Sequence, residues 1–254
     1  MNTDEKIAVG IYDNLAQSYH DLRTKDCPHG WFYNEFLEMP TMLELLGRIK
    51  GKKILDFGCG SGIYAEILTK KGAKVKGFDI SKQMLAIAKQ KNPELDLRHG
   101  SGYKIPFKEK FDIVISSLVV HYLNDWNKML KEIKRVLKRG GLFILSTGNP
   151  VTEIADTMKV KDKKYKVVGD YFKERTISAN WENVKCADGK IKTVKIRSHH
   201  ITYETLLNTL IKNGFEIMQY KDCKPSTKSK RYFPEEYEKY TKYPLVLAIK
   251  TKLK

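Results

Sequence analysis

Beyond residue 50 the apolar positions switch between two periods. "KKILDFG", "KVKGFDI", "FDIVISSLVV" and "LFILST" are short apolar runs that read as strands, and "LDLRHG" adds a shorter one. The third and fourth runs lack alternation, as expected of strands covered on both faces. Between the runs, apolar residues recur at helical spacing. "GIYAEILTKKG" puts Ile63, Ile67 and Leu68 on one face and closes at Gly72. "SKQMLAIAKQK" starts at Ser81, a good N-cap, and ends before Pro93. "DWNKMLKEIKRVLKRGG" carries Met129, Leu130, Ile133, Val136 and Leu137 on one stripe and is expected to stop at Gly140. Strands alternating with helices of this length predict an α/β fold with a doubly wound sheet.

The flanks read differently. "IYDNLAQSYHDL" sets Ile11, Leu15, Tyr19 and Leu22 on a helical face, "CPHG" interrupts it, and "FYNEFLEMPTMLELLG" resumes a helix up to Gly47. After Pro150 the pattern loosens, with a hairpin expected to turn at Asp188–Gly189. "TYETLLNTLIKNG" predicts a capped helix, "FEIMQY" a strand, residues 221–242 a polar loop and "PLVLAIKTK" a last strand, the two strands pairing as an antiparallel edge. We expect one domain over 1–254: helices in 1–50, a core in 51–148, an insertion in 149–201, and a C-terminal helix with edge strands in 202–254.

Composition changes this picture little. Hydrophobic residues make up 41% of the 254, enough for a sizeable core. No apolar run approaches the roughly 20 residues of a membrane span, and "MNTDEKIAVG" is too charged for a secretory leader. A cytoplasmic protein, monomer or homodimer, with no membrane partner is expected. Cys27, Cys59, Cys186 and Cys223 are scattered, with no C-x-x-C, so free thiols are expected in place of a disulfide framework or a zinc site. The net charge of +17 admits nucleic acid as a partner. Lysines stud both halves of the chain evenly, however, as on a generally solvated surface.

The candidate chemistry centres on "ILDFGCGSG", with Gly58, Gly60 and Gly62 after an apolar run. A P-loop would need Lys-Ser/Thr after the glycines, and none follows. A dinucleotide fingerprint would need a third glycine where Ile63 stands. Asp56 would repel a pyrophosphate and suits a ligand bearing a cationic amine. Asp79 ends the next strand, where an acid can accept ribose hydroxyls.

"ILDFGCGSG" resembles the first motif of class I S-adenosylmethionine-dependent methyltransferases. "PFKEKFDIVISSLVVHYLNDW" and "RVLKRGGLFILST" are similar to the fourth- and fifth-strand segments of the type 11 group, and "YDNLAQSY" to its N-terminal helix. The resemblance implies a seven-stranded Rossmann-like sheet, mostly parallel with an antiparallel C-terminal strand, an N-terminal helical lid and an insertion after the fifth strand. It implies S-adenosyl-L-methionine as cofactor, with Asp56 near the methionine amine and Gly58, Cys59 and Gly60 presenting backbone to the methionine. Asp79 would hold the ribose, Ile80 and Met84 would flank the adenine, Ser117 and Leu118 would line the methyl-donor side, and Tyr19 would close over the cofactor. Gly100, Ser101 and Gly102 fall at the adenine end. The group often carries Gly-Asp there, and Ser101 stands in the acid's place.

Candidate bases are His121 and His200. Tyr12, Tyr122, Trp181 and His199 are candidates for the acceptor's surroundings, whereas His99 reads as a strand-end residue. No His/Asp/Glu spacing suggests a metal. "SSLVVHYL" lacks the Asn/Asp-Pro-Pro-aromatic signature of base methylation, and no Pro-Cys appears. A small-molecule acceptor, methylated at O, N or S, is favoured. A tRNA-modifying enzyme of the same fold is the alternative, drawn from the charge. A non-catalytic S-adenosylmethionine-binding protein and a dehydrogenase rank below it.

Overall fold

The computed structural model describes residues 3–24, 32–161, 163–185 and 190–254. Helix α1 (Thr3–Arg23) comes first, followed by a π-helical turn (Phe32–Glu38) that runs straight into α2 (Met39–Leu46). Then β1 (Lys53–Phe57), α3 (Ile63–Lys70), β2 (Lys74–Asp79), α4 (Lys82–Lys91), β3 (Asp96–His99) and β4 (Phe111–Ser116) alternate. A 3-10 turn (Val120–Tyr122) leads to α5 (Trp126–Val136) and β5 (Leu137–Gly148). Two hairpins follow: β6 (Ala155–Val160) with β7 (Lys163–Val168), and β8 (Arg175–Lys185) with β9 (Ile191–His200). The chain closes with α6 (Tyr203–Lys212), β10 (Phe215–Asp222), α7 (Ser229–Tyr232), α8 (Pro234–Tyr240) and β11 (Val246–Leu253).

Seven strands form one sheet in the order β10-β11-β5-β4-β1-β2-β3. Neighbours from β5 to β3 pair in parallel, and β11 runs antiparallel to both β5 and β10. This is the expected mostly parallel sheet, with β11 seated between β5 and the edge strand β10. Both faces are covered, which explains the continuous apolar runs. Ile54, Ile113 and Ile144 face the layer containing α2 and α3, while Leu55, Val114 and Phe143 face that of α5 and α6. On α5, Trp126, Met129, Leu130, Ile133 and Val136 are buried, and Asp125 caps the helix by accepting from the Lys128 amide at 2.9 Å. Ser81 caps α4 the same way, accepting from Met84 at 3.1 Å.

Several boundaries differ from the sequence expectation. Helix α5 ends at Val136, not near Gly140, because Leu137 already pairs with Phe111 in the β4–β5 ladder. Strand pairing overrides the helical spacing of Leu137. The run "FDIVISSLVV" is strand only to Ser116. Beyond it the Leu118 amide donates to Ser146 Oγ at 3.0 Å, and Leu118 takes a φ of 54°. The "polar loop" extends β10 to Asp222 and holds α7 and α8, the latter opened by Pro234. Helix α1 starts at Thr3, well before Ile11. Cys59 and Cys223 are buried free thiols. Cys27, Cys186, "CPHG" and the Asp188–Gly189 turn lie outside the described residues. Among the described residues no helix is long and apolar enough to cross a membrane, and no group of His, Cys, Asp or Glu could hold a metal ion.

Candidate functional site

Sheet order reverses at β1, which has β2 on one side and β4 on the other. Open α/β sheets take ligands at the carboxyl ends of the strands at such a reversal. A cavity lies there, roofed by α1. Tyr19, Asp56, Gly58, Cys59, Gly60, Asp79, Ile80, Met84, Gly100, Gly102, Ser117 and Leu118 line it, together with Tyr12 and Tyr122.

The glycine turn is built by backbone. The amides of Gly58 and Cys59 donate to the Phe78 carbonyl at 3.0 and 2.9 Å, tying the end of β1 to β2. Gly58 has a φ of 73°, and a Cβ there would come within 2.6 Å of Val119 Cγ2. Gly58→Ala is therefore expected to cost about 2 to 4 kcal/mol, from left-handed strain plus overpacking. Thermal unfolding of the variant checks this, with a drop of roughly 5 to 15 °C expected for a chain of this size. Gly60 differs: its φ is 53°, yet nothing lies within 4 Å of where its Cβ would be. Its bare backbone faces the cavity.

Asp79 braces the turn from β2. Its Oδ2 accepts from the Gly60 amide at 2.8 Å and its Oδ1 from the Ser81 amide at 2.8 Å. Burial raises its pKa, against those amide bonds.

Asp56 is 2% exposed, and its Oδ2 has no hydrogen-bond partner among the described residues. Burial, together with the nearby Asp79 carboxylate, pushes its pKa up to about 7, while Arg23 works in the opposite direction. That arginine closes α1. Its Nε donates to Glu35 Oε1 at 3.0 Å and its Nη1 to the Tyr19 hydroxyl at 3.4 Å, while its buried Nη2 has no hydrogen-bond partner among the described residues. One cavity thus presents an unpaired carboxylate oxygen and an unpaired guanidinium nitrogen. Unpaired buried polar atoms are costly, and this pair matches the ammonium and carboxylate of an α-amino acid.

Tyrosines close the middle of the cavity. The Tyr12 hydroxyl donates to that of Tyr122 at 2.8 Å, and Tyr19 stacks parallel on Trp181 at 6.1 Å between ring centroids. Burial raises the Tyr12 and Tyr122 pKa values, so both are neutral phenols. Helix α1 is fixed in place through Asp13, whose Oδ1 accepts from Ser81 Oγ at 2.6 Å and from the Gln83 amide at 3.2 Å.

The remaining expected residues stand elsewhere. Ser101 and Trp181 are outside the cavity lining. His121 packs on the Tyr122 ring, with its Nδ1 3.3 Å from Thr147 Oγ1, and burial holds its pKa down at about 4. His200 is buried, with Nδ1 2.9 Å from Glu153 Oε1 and Nε2 2.8 Å from the Tyr171 carbonyl, so both ring nitrogens are engaged away from the cavity. His199 lines a second, polar cavity of about 240 Å³ with Asp4, Thr176 and Arg197. Ala8 and Tyr122 border both cavities.

Comparison with known proteins agrees with this geometry. Residues 55–145 match the type 11 family model described as a methyltransferase domain. The crystal structure of an S-adenosylmethionine-dependent methyltransferase from Mesorhizobium loti superposes with a TM-score of 0.68 at 26% identity, over 84% of this chain and 96% of that one. Residues 55–145 thus carry a methyltransferase domain of the type 11 group, in a chain similar over most of its length to an S-adenosylmethionine-dependent methyltransferase of known structure. An uncharacterized protein of Haemophilus influenzae is 29% identical over 98% of both chains. The demethylmenaquinone methyltransferase of Chlorobaculum parvum is 36% identical over 127 residues, 48% of this chain and 53% of that protein. The methyltransferase therefore spans only about half the length of that relative.

The residues present fit S-adenosylmethionine. The open cradle at Gly60 and the unpaired Asp56 and Arg23 atoms meet the needs of a cationic amino-acid end without a phosphate. Of the lining residues not foreseen from the sequence, three carry polar or charged side chains: Glu5, Arg23 and Tyr64. Tyr64 donates to the fully buried Glu38 at 2.8 Å, and Glu38 also accepts from Ser146 Oγ, whose own oxygen receives the Leu118 amide. This chain of bonds fixes the loop after β4.

Proposed function

We propose that this methyltransferase alkylates a small-molecule acceptor in a chamber closed by α1 and the β8–β9 hairpin. The observation that carries the reading is the roof: α1 packs on α4 and also touches β8, β9 and the turn after β4. The chemistry is thereby enclosed and screened from water.

In this reading Asp56 Oδ2 takes the donor's ammonium and Arg23 Nη2 its carboxylate. Asp79 accepts the ribose hydroxyls while still holding the glycine turn. Ile80 and Met84 flank the base. Bound so, S-adenosylmethionine supplies a methyl carbon made electrophilic by its sulfonium. The acceptor approaches through the second cavity, past Tyr122. The chain's contribution is alignment and exclusion of water, an effect worth about 7 to 11 kcal/mol in well-oriented systems. His121, held neutral with a depressed pKa, is a weak base, which suits acceptors whose nucleophile is already deprotonated near pH 7.

Methyl transfer from labelled S-adenosylmethionine to a panel of small hydroxylated and amino compounds tests the reading. The name of the Chlorobaculum relative makes demethylated quinones a sensible first choice. Salt-insensitive labelling of a small molecule is expected. Efficient labelling of tRNA, falling steeply with salt, would overturn it in favour of the reading drawn from the +17 charge.

Donor affinity should also depend on pH. Asp56 must be ionised to receive an ammonium, and in the free protein its pKa is about 7. Binding below that value has to release a proton, so affinity is expected to fall by up to about tenfold per unit as pH drops from 7 to 5. Above pH 7 it should level off. Calorimetry with S-adenosylhomocysteine in buffers of different ionisation heat measures both the slope and the released proton. A flat profile would remove Asp56 from the ammonium site.

A further inference from the structure

We propose that the β6–β7 hairpin docks the protein onto an anionic lipid surface, with one apolar face of the hairpin entering the boundary between headgroups and acyl chains. The proposal does not depend on which acceptor is methylated.

The hairpin stands outside the seven-stranded sheet, as a two-stranded ribbon of its own. Opposed residues of an antiparallel pair share a face, and so do residues two apart along a strand. Met158 stands opposite Tyr165, with Val160 and Val167 two places further along their strands. These four side chains therefore lie on one face, and each is 40–50% exposed. Asp156, the acid on that face, sits at the base of the hairpin, opposite Val167.

The other face carries Lys159, Lys164 and Lys166. That face is the one turned toward the body of the protein. Lys166 Nζ lies 5.8 Å over the ring of Tyr243 and donates to the Ala155 carbonyl at 3.3 Å. Tyr243 in turn packs on the core layer of α2 and α3. The hairpin thus inverts the usual order, in which apolar side chains turn inward and cations outward. Apolar side chains clustered on an outward face mark a docking surface.

Charge selects the occupant. "ADTMKVKDKKYKVV", residues 155–168, holds five lysines against two aspartates. A second copy laid on the same face would bring two such basic hairpins together. RNA would use the charge, but aliphatic Met158, Val160 and Val167 offer no ring for a base to stack on. An anionic bilayer uses both features. A two-stranded ribbon is one layer thick, so lysine stems reach past it and keep their ammonium groups among the headgroups while the apolar side chains enter the boundary. Such a contact is peripheral and needs no spanning helix. It concentrates the protein where lipid-soluble compounds reside.

Flotation of the full-length protein tests the proposal, with vesicles of phosphatidylcholine alone and of an equimolar mixture with phosphatidylglycerol. Partitioning onto the mixed vesicles should exceed that onto the neutral ones by at least about twentyfold, at about fivefold for each lysine engaged, and should fall with added salt. The double variant Met158→Ser/Tyr165→Ser should bind the mixed vesicles at least about tenfold less, with thermal unfolding unchanged because both side chains are half exposed. Lys159→Gln/Lys164→Gln should lower binding by about fivefold per lysine and flatten the salt dependence. Equal partitioning onto both vesicles, or binding to neither, would overturn the proposal. So would mixed-vesicle binding that the serine pair leaves intact, the mark of unspecific adsorption through the net charge of +17. A tRNA affinity that the serine pair lowers, or a wild-type dimer in sedimentation that the pair dissociates, would overturn it by giving the face to RNA or to a second copy.

Discussion

Arg23→Met is expected to lower the affinity for S-adenosylhomocysteine by about a hundredfold, close to 3 kcal/mol, the scale of one partner lost from a buried charge pair. Its Nη2 is buried without a partner, and the two hydrogen bonds at Nε and Nη1 hold it in place. The side chain of Glu35, its ion-pair partner, is 19% exposed and can be rehydrated. The loss should therefore fall on the ligand more than on the fold. Arg23→Lys keeps the charge but not the fork, and should recover roughly a third of the lost free energy on the usual difference between a point charge and a bidentate donor. The control is 5′-methylthioadenosine, which lacks the amino-acid end. Its affinity should not change in Arg23→Met. Equal loss for both compounds would place Arg23 in a general lid role.

Asp79→Ala should have an effect of similar size with the opposite signature. One carboxylate holds the Gly60 and Ser81 amides at 2.8 Å each and is the group proposed for the ribose hydroxyls. Removing it leaves two part-buried amides unpaired, at about 1 kcal/mol each, and opens the ribose site. Affinity should fall about a hundredfold for S-adenosylhomocysteine and equally for 5′-methylthioadenosine, since both carry the ribose. Isothermal titration of the four protein–ligand pairs separates the two residues. If Asp79→Ala bound both compounds like the wild type, the ribose assignment would be wrong.

The core of the fold was legible because its strands are buried on both faces and its helices carry clean stripes with good caps. Ile54, Ile113 and Ile144 on one side, and Leu55, Val114 and Phe143 on the other, are the physical origin of the apolar runs. Boundaries were less legible where tertiary pairing decides. Leu137 fits a helical stripe by spacing and a strand by partner, and the partner Phe111 wins. The glycines and the two aspartates at strand ends announced the cavity, since few other structures need that pattern.

Arg23 and Glu5 were missed for a different reason. Each is an ordinary surface residue by type, and the amphipathic face read from the sequence was that of Ile11, Leu15, Tyr19 and Leu22. The signal that could have found them is the second stripe on α1, Glu5-Ala8-Tyr12-Tyr19-Arg23, at spacings of 3, 4, 7 and 4. Mixed charge and aromatic residues on one helical face point to a ligand, not to a core. His200 drew notice as a histidine just before the C-terminal helix, and its full hydrogen-bonding to Glu153 and Tyr171 explains its burial.

The central claim is that α1 completes the donor site, with Arg23 and Asp56 as a sign-matched pair for the amino-acid end. A crystal structure with S-adenosylhomocysteine tests it most directly. The account expects α1 docked over the ligand, the ligand's carboxylate within hydrogen-bond distance of Arg23 Nη2, and its ammonium on Asp56 Oδ2. A ligand whose amino-acid end points away from both, or one bound with α1 displaced from the cavity, would contradict it.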